Sequence, residues 1–217
     1  MSDIATVEVE TGPNPVGSVI WLHGLGADGH DFEPIVPEFA LPDSLPLRFV
    51  FPHAPERPVT VNGGMVMRAW YDIVSLDFEG RADADGIRSS SEILDRLVED
   101  ELERGINIDN IVIAGFSQGG AVALHNVLER DDKPAGLIAI STYLALPNEP
   151  GRADGVPAFM AHGTFDPMVP FFAGQQSAAA LERKGAKVEW HDYPMAHGVC
   201  PQEIRDIREW LLGVYSA

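Results

Sequence analysis

The run Gly115-Phe116-Ser117-Gln118-Gly119 has the form Gly-x-Ser-x-Gly and directly follows four apolar residues, Ile111 to Ala114. Such a run makes a tight strand-to-helix turn that holds a serine hydroxyl clear of a sheet, where it can serve as a nucleophile. A hydroxyl is a weak nucleophile at neutral pH. It needs an imidazole to take its proton, and the imidazole needs an acceptor that fixes its tautomer. Two later segments offer these partners on loops that follow strands: Asp166 in His162-Gly163-Thr164-Phe165-Asp166-Pro167, and His197 in Met195-Ala196-His197-Gly198. Serine, then acid, then histidine is the chain order that goes with this elbow. The competitors are less well placed. Asp154 precedes its strand, Asp192 and His191 lie within one, and His162 ends one, where a histidine serves as a structural hydrogen-bonder. Cys200 has no elbow around it and reads as a packed thiol.

Attack on a carbonyl places negative charge on its oxygen, and backbone N–H groups stabilise that charge by several kcal/mol. One donor is the amide after the nucleophile, Gln118. The second is expected from His23-Gly24-Leu25-Gly26, where glycines let the backbone turn its amides inward, and Leu25 is the residue chosen. The same stretch, Gly24-Leu25-Gly26-Ala27-Asp28-Gly29, formally matches the G-x-G-x-x-G dinucleotide fingerprint. That reading also needs an acidic residue about 20 positions on. Leu45 through His53 contains none, so no nicotinamide or other cofactor is expected. None of the seven histidines is read as part of an H-E-x-x-H motif or of a paired His/carboxylate helix spacing, and no metal is expected.

Positioning these residues requires alternating strands and helices. Ala5, Val7 and Val9 alternate with polar residues like a half-exposed antiparallel edge strand, whereas Val19-Ile20-Trp21-Leu22 is a continuous apolar run like a strand buried on both faces. Leu47 to Phe51, Ile111 to Ala114, Leu137 to Ile140, Ala158 to Ala161 and Val188 to Tyr193 read as further strands. A helix is expected after Asp85 with Ile87, Ser91, Leu94, Val98 and Leu102 on one face and Gly105 as its stop. Pro170 and Pro201 read as first helical positions, the former ahead of a face of Phe172, Gln176, Ala179 and Ala180, the latter ahead of Ile204, Ile207, Trp210 and Leu211. Between Pro58 and Asp77 the pattern breaks into a small hairpin around Gly63-Gly64. The whole predicts one three-layer α/β domain over residues 1–217 with a mostly parallel sheet. Ser141 to Pro157 is too short for a cap domain, so the site is expected to be open.

Composition narrows the partners. With 45% apolar and 22% charged residues the chain is that of an ordinary folded domain. Its formal charge of -18 disfavours nucleic acid and anionic lipid surfaces, and its lysine-poor acidic surface is compatible with a salty host. One cysteine permits no internal disulfide. The first ten residues have neither a basic region nor an apolar run, and no stretch approaches the ~18 apolar residues of a membrane span. A cytoplasmic protein without stable membrane anchoring is expected.

Taken together, His23-Gly24-Leu25-Gly26, Phe51-Pro52-His53-Ala54-Pro55, Trp70-Tyr71-Asp72, Gly115 to Gly120, His162 to Pro170 and Met195-Ala196-His197 make the chain resemble the carboxylesterase/phospholipase branch of the α/β-hydrolases, which includes acyl-protein thioesterases and lysophospholipases. The resemblance spans nearly the whole length. It implies an α/β-hydrolase fold, a Ser117/Asp166/His197 triad, an oxyanion hole from the Leu25 and Gln118 amides, and Trp70 near the acyl pocket. Thr164-Phe165 departs from the smaller or more polar residues that members often carry before the acid. The expected substrates are carboxylic esters or acyl thioesters of short to medium chain length, presented as small molecules, lysolipids or acylated proteins. Leu25, Met65, Met67, Trp70, Phe165, Met168 and Val169 are candidates for the apolar rim, with Leu25 and Trp70 singled out as substrate contacts. The reading from another class, a catalytically silent binding module of the same fold, would have no need of nucleophile, acid, base and oxyanion donors together.

Overall fold

The computed structural model describes residues 4–75 and 82–216. In chain order the elements are β1 (Thr6–Glu10), β2 (Gly17–Leu22), β3 (Leu47–Pro52), β4 (Glu56–Val59), β5 (Met65–Arg68), α1 (Ala84–Glu103), β6 (Ile111–Phe116), α2 (Gln118–Glu129), β7 (Gly136–Ile140), β8 (Pro157–Gly163), α3 (Phe171–Arg183), β9 (Lys187–Tyr193) and α4 (Pro201–Val214). Seven strands form one sheet in the order β1-β3-β2-β6-β7-β8-β9. Only β1 runs antiparallel, pairing Val7 with Phe51 and Val9 with Phe49; the remaining pairs are parallel. The alternating and the continuous apolar patterns thus mark the sheet's edge and its centre, as their periods require.

Side chains leave a strand alternately to its two faces, and here each face is covered. Val19 and Trp21 of β2 pack with Phe49, Phe51, Val112 and Ala114 under Ile207, Trp210 and Leu211 of α4. Two short 3-10 turns, Glu33–Ile35 and Pro37–Phe39, help close the same face with Phe39. Ile20 and Leu22 point the other way, with Ile111 and Ile113, toward α1, α2 and α3. The result is a three-layer α/β-hydrolase architecture. The segment 141–156 contains no helix or strand, so nothing in it forms a cap.

Helix α1 starts where Asp83 caps it, accepting the Gly86 N–H at 3.0 Å, and it buries Ile87, Leu94, Leu97 and Val98. Leu102, assigned to that face, is exposed at the last turn. In α3 the departure is larger. The buried residues are Ala173, Gly174, Ser177, Ala178 and Leu181, and Phe172 is exposed. Small residues let α3 lie close against β8 and β9, and this packing decides the face against the larger Phe172. Pro170 is the residue before α3, not its first position, whereas Pro201 does open α4. The hairpin exists as β4 and β5, pairing Val59 with Met65, and Thr60–Asn62 belongs to the 3-10 turn between them. Asp77, the end assigned to that excursion, lies outside the described residues.

Candidate active site

The C-terminal ends of β2, β6, β8 and β9 bring four loops to one edge of the sheet, where ligands of parallel α/β sheets bind. Ser117 stands between β6 and α2 at φ 53° and ψ -118°, a backbone state that costs a non-glycine residue free energy and is held by its surroundings. Its N–H donates to the Ile140 carbonyl at 3.0 Å, and its carbonyl accepts the Thr142 hydroxyl at 2.6 Å. The glycines on either side are required by proximity. A Cβ on Gly115 would strike the backbone of Gly119 and Gly120, and one on Gly119 would strike the carbonyl oxygens of Leu22 and His23.

The Ser117 hydroxyl lies 2.9 Å from His197 Nε2, and His197 Nδ1 lies 2.7 Å from Asp166 Oδ2. The other carboxylate oxygen of Asp166 accepts the N–H groups of Met168 and Val169 at 2.8 and 2.9 Å, and its side chain is fully buried. Backbone bonds from Thr164 to Tyr193 and from Phe165 to Met195 tie the loop that carries Asp166 to the loop that carries His197. A carboxylate with this many donors accepts the imidazole Nδ1–H, which leaves Nε2 free to take the serine proton. The Phe116 ring packs against His197 at 4.7 Å between centroids.

Gln118 is the first residue of α2, so its N–H has no partner within the helix, and the residue lines the same cavity as Ser117. Leu25 lines that cavity from the loop after β2. That loop is held by His23. Its Nδ1 donates to the Gly24 carbonyl at 2.7 Å, and its Nε2 accepts the Ala54 N–H at 3.0 Å. Only the neutral ring can do both, and burial lowers its basicity accordingly.

Trp70 does not line the cavity. It is fully buried behind the loop that follows β2, its indole N–H donating to the His23 carbonyl at 2.9 Å, so its expected role as a substrate contact is corrected to one of support. The Gln118 side chain joins this support. Its Oε1 accepts the Trp70 N–H at 2.8 Å and its Nε2 donates to the Tyr71 carbonyl at 2.7 Å. The cavity of about 480 Å³ is lined by Leu25, Val61, Ile73, Phe116, Met168 and Val169 among its apolar residues, with Tyr71 and Tyr143 also contributing. The two phenol oxygens are 3.4 Å apart, and burial raises both hydroxyls above the usual tyrosine range. Among the described residues Asp31 is the one carboxylate in the lining; partial burial raises it above the ordinary aspartate range. Met65, Met67 and Phe165 are not lining residues, and Phe165 and Met65 project into solvent. Tyr143 and Asp31 carry no motif, and only the folded chain brings them to the site.

Among the described residues one group could hold a metal ion: His125, Glu129 and Glu149, whose ligand atoms lie within 4.8 Å of one another. His125 and Glu129 are four apart on α2, so the expectation that no histidine pairs with a carboxylate at helical spacing is corrected: the two residues share one face of that helix. Arg88 already pairs with Glu149, so a cation is supplied there by the chain itself. The group lies outside the cavity that holds Ser117.

A family model described as phospholipase/carboxylesterase matches residues 4–214. The chain is 37% identical over 218 residues to acyl-protein thioesterase 1 of Cryptococcus neoformans, covering 90% of this chain and 91% of that one. It is 38% identical over 208 residues to acyl-protein thioesterase 1 of Neurospora crassa, covering 89% and 85%. Among solved structures, Arabidopsis thaliana SOBER1 superimposes with a TM-score of 0.85 at 30% identity, over 92% of this chain and 99% of that one. The Bacillus cereus carboxylesterase, at 21% identity and a TM-score of 0.80 over 98% and 95%, shares the fold.

Proposed function

The chain belongs to the phospholipase/carboxylesterase family of α/β-hydrolases, and from that premise we propose that it hydrolyses carboxylic esters and acyl thioesters through an acyl-enzyme on Ser117. It is a hydrolase of the serine esterase and thioesterase type. The observation that carries the assignment of residues is the hydrogen-bond chain from Ser117 Oγ through His197 to Asp166, at 2.9 and 2.7 Å. His197 takes the Ser117 proton as the oxygen attacks the acyl carbon. Charge that develops on the carbonyl oxygen is met by the Leu25 and Gln118 amides, and Asp166 stays ionised and stabilises the imidazolium. His197 then protonates the leaving alcohol or thiol, and water activated by the same ring releases the acid.

The mainly apolar wall of the cavity suits an acyl chain of short to medium length, and the absence of a cap between β7 and β8 leaves room for a bulky acyl carrier. Acylated protein is the substrate class favoured by the two relatives named acyl-protein thioesterase 1; lysolipids and small esters follow from the same chemistry. The chain acts as a single domain. No described helix is long and apolar enough to cross a membrane, in keeping with a cytoplasmic site of action.

The test is intact-mass analysis after exposure to a fluorophosphonate, followed by turnover of p-nitrophenyl esters and S-acylated peptides graded by chain length. A single adduct on Ser117, and loss of turnover by roughly three or more orders of magnitude in a folded Ser117→Ala variant, are expected. No adduct on the folded protein would favour the silent binding module.

A further inference from the structure

His162 is the penultimate residue of β8, only 1% exposed, and it takes no direct part in the chemistry above. Its ring lies near-parallel to Trp190 of β9 and edge-on to Phe171 of α3, at centroid distances of 6.4 and 6.0 Å. On its remaining side stands Gly174, where a Cβ would run into Nδ1. The ring is therefore fixed, and its two nitrogens meet different surroundings. Nε2 is 2.9 Å from the Val169 carbonyl oxygen and 3.3 Å from Asp166 Oδ2, whereas Nδ1 is buried without a partner.

Two acceptors facing one nitrogen require the proton to be there. A second proton on Nδ1 would have nothing to donate to, and burial opposes the charge it would bring. The charged groups that act on the ring are Asp166 and His197; Trp190, Phe171 and Gly174, packed around it from β9 and α3, carry none. His162 is thus a neutral Nε2–H donor. It closes a turn from both ends: Asp166 Oδ1 accepts the Val169 N–H at 2.9 Å, and the Val169 carbonyl accepts from His162. The positive end of the same N–H dipole lies beside Oδ2, the oxygen that holds His197.

We propose that His162 is a positioning residue for the acid: its Nε2–H locks the Asp166–Val169 turn and moderates the pull of Asp166 on the His197 proton. This inference rests on the Ser117/His197/Asp166 reading. Removing the donor leaves Asp166 more strongly attractive to the imidazolium, so His197 keeps its proton to higher pH and the acid limb of kcat/KM moves up.

The experiment compares His162→Leu, which removes the donor, His162→Asn, whose amide reaches only the Nδ1 side, and His162→Gln, whose amide can reach the Nε2 position. Leu and Asn are expected to lower kcat about tenfold with KM within about twofold, and to raise the acid-limb midpoint by about half a pH unit. Gln is expected to restore both. Long-range ¹H–¹⁵N imidazole spectra of the wild-type enzyme are expected to show His162 as the Nε2–H tautomer without titration from pH 5 to 8. An unmoved acid limb in folded Leu and Asn variants overturns the proposal even if kcat falls, as does an Nδ1–H or titrating ring. If neither variant folds, the spectra decide. Asp166→Asn, run in parallel, separates the two levels: near-normal turnover there overturns the triad itself, whereas its loss beside an unmoved acid limb overturns only the role of His162.

Discussion

Glu203, at the third position of α4, is fully buried, and neither of its carboxylate oxygens has a hydrogen-bond partner. Burial pushes the carboxyl up to about 8; the Cys200 N–H at the start of α4, close by but outside hydrogen-bond geometry, works weakly against this, and the nearby Asp206 adds to it. In the unfolded chain the same group ionises near 4.5. Below that pH both states hold the proton and folding is indifferent to it. Between the two values the unfolded chain releases the proton and the folded one keeps it, so stability falls as pH rises and the loss is complete above about 8. The span corresponds to at most about 4 to 5 kcal/mol. Glu203→Gln is therefore expected to raise the Tm, with a gap over the parent that widens steadily from pH 5 to pH 8 in thermal melts at fixed salt. A constant gap would assign the gain to packing instead of ionisation.

At the scale of elements, the elbow depends on how closely β2 approaches the first turn of α2. The space in front of Gly119 is occupied by the carbonyl oxygens of Leu22 and His23, and His23 begins the loop that carries Leu25. Gly119→Ala is expected to cost about 2 to 3 kcal/mol in urea denaturation and to lower kcat more than KM, because the displaced strand end moves the loop proposed to supply an oxyanion donor. This region was the most legible in the sequence, since a Gly-x-Ser-x-Gly turn, a glycine-bearing loop and an acid and histidine after strands are all defined by neighbours along the chain. Trp70 was less so. Its segment was located, but whether an aromatic ring lines a cavity or backs a loop is decided by the His23 carbonyl and the Gln118 side chain, both some 50 positions away. The buried face of α3 was misread for a similar reason. Large residues suggest burial, yet close packing on β8 and β9 selects alanine, glycine and serine. The pairing of Tyr71 with Tyr143 had no local signal at all.

At the scale of the molecule, 33 acidic residues face 15 lysines and arginines. Local clusters relieve part of this, as where Arg48 and Arg104 converge on Glu8 and Glu101. Salt weakens the pairs at the surface, such as Arg104 with Glu8, each worth under about 1 kcal/mol, and it also screens the repulsion among the unpaired carboxylates. Because the excess is 33 minus 15, or 18 negative charges, the second effect prevails. The Tm is expected to rise by several degrees between 0.05 and 1 M NaCl at pH 7; a falling Tm would show that the ion pairs dominate.

The bonds from the Gln118 side chain to Trp70 and Tyr71 join the residue whose amide is proposed to meet the oxyanion to a wall of the cavity proposed to receive the acyl chain. On the proposed function, an acyl chain that crowds Tyr71 is expected to strain the amide at the moment of reaction, so a poorly fitting substrate is expected to turn over slowly after it has bound, with preference among chain lengths carried by kcat. Redesign of that wall to admit other chains consequently alters the rate of the chemistry along with the fit.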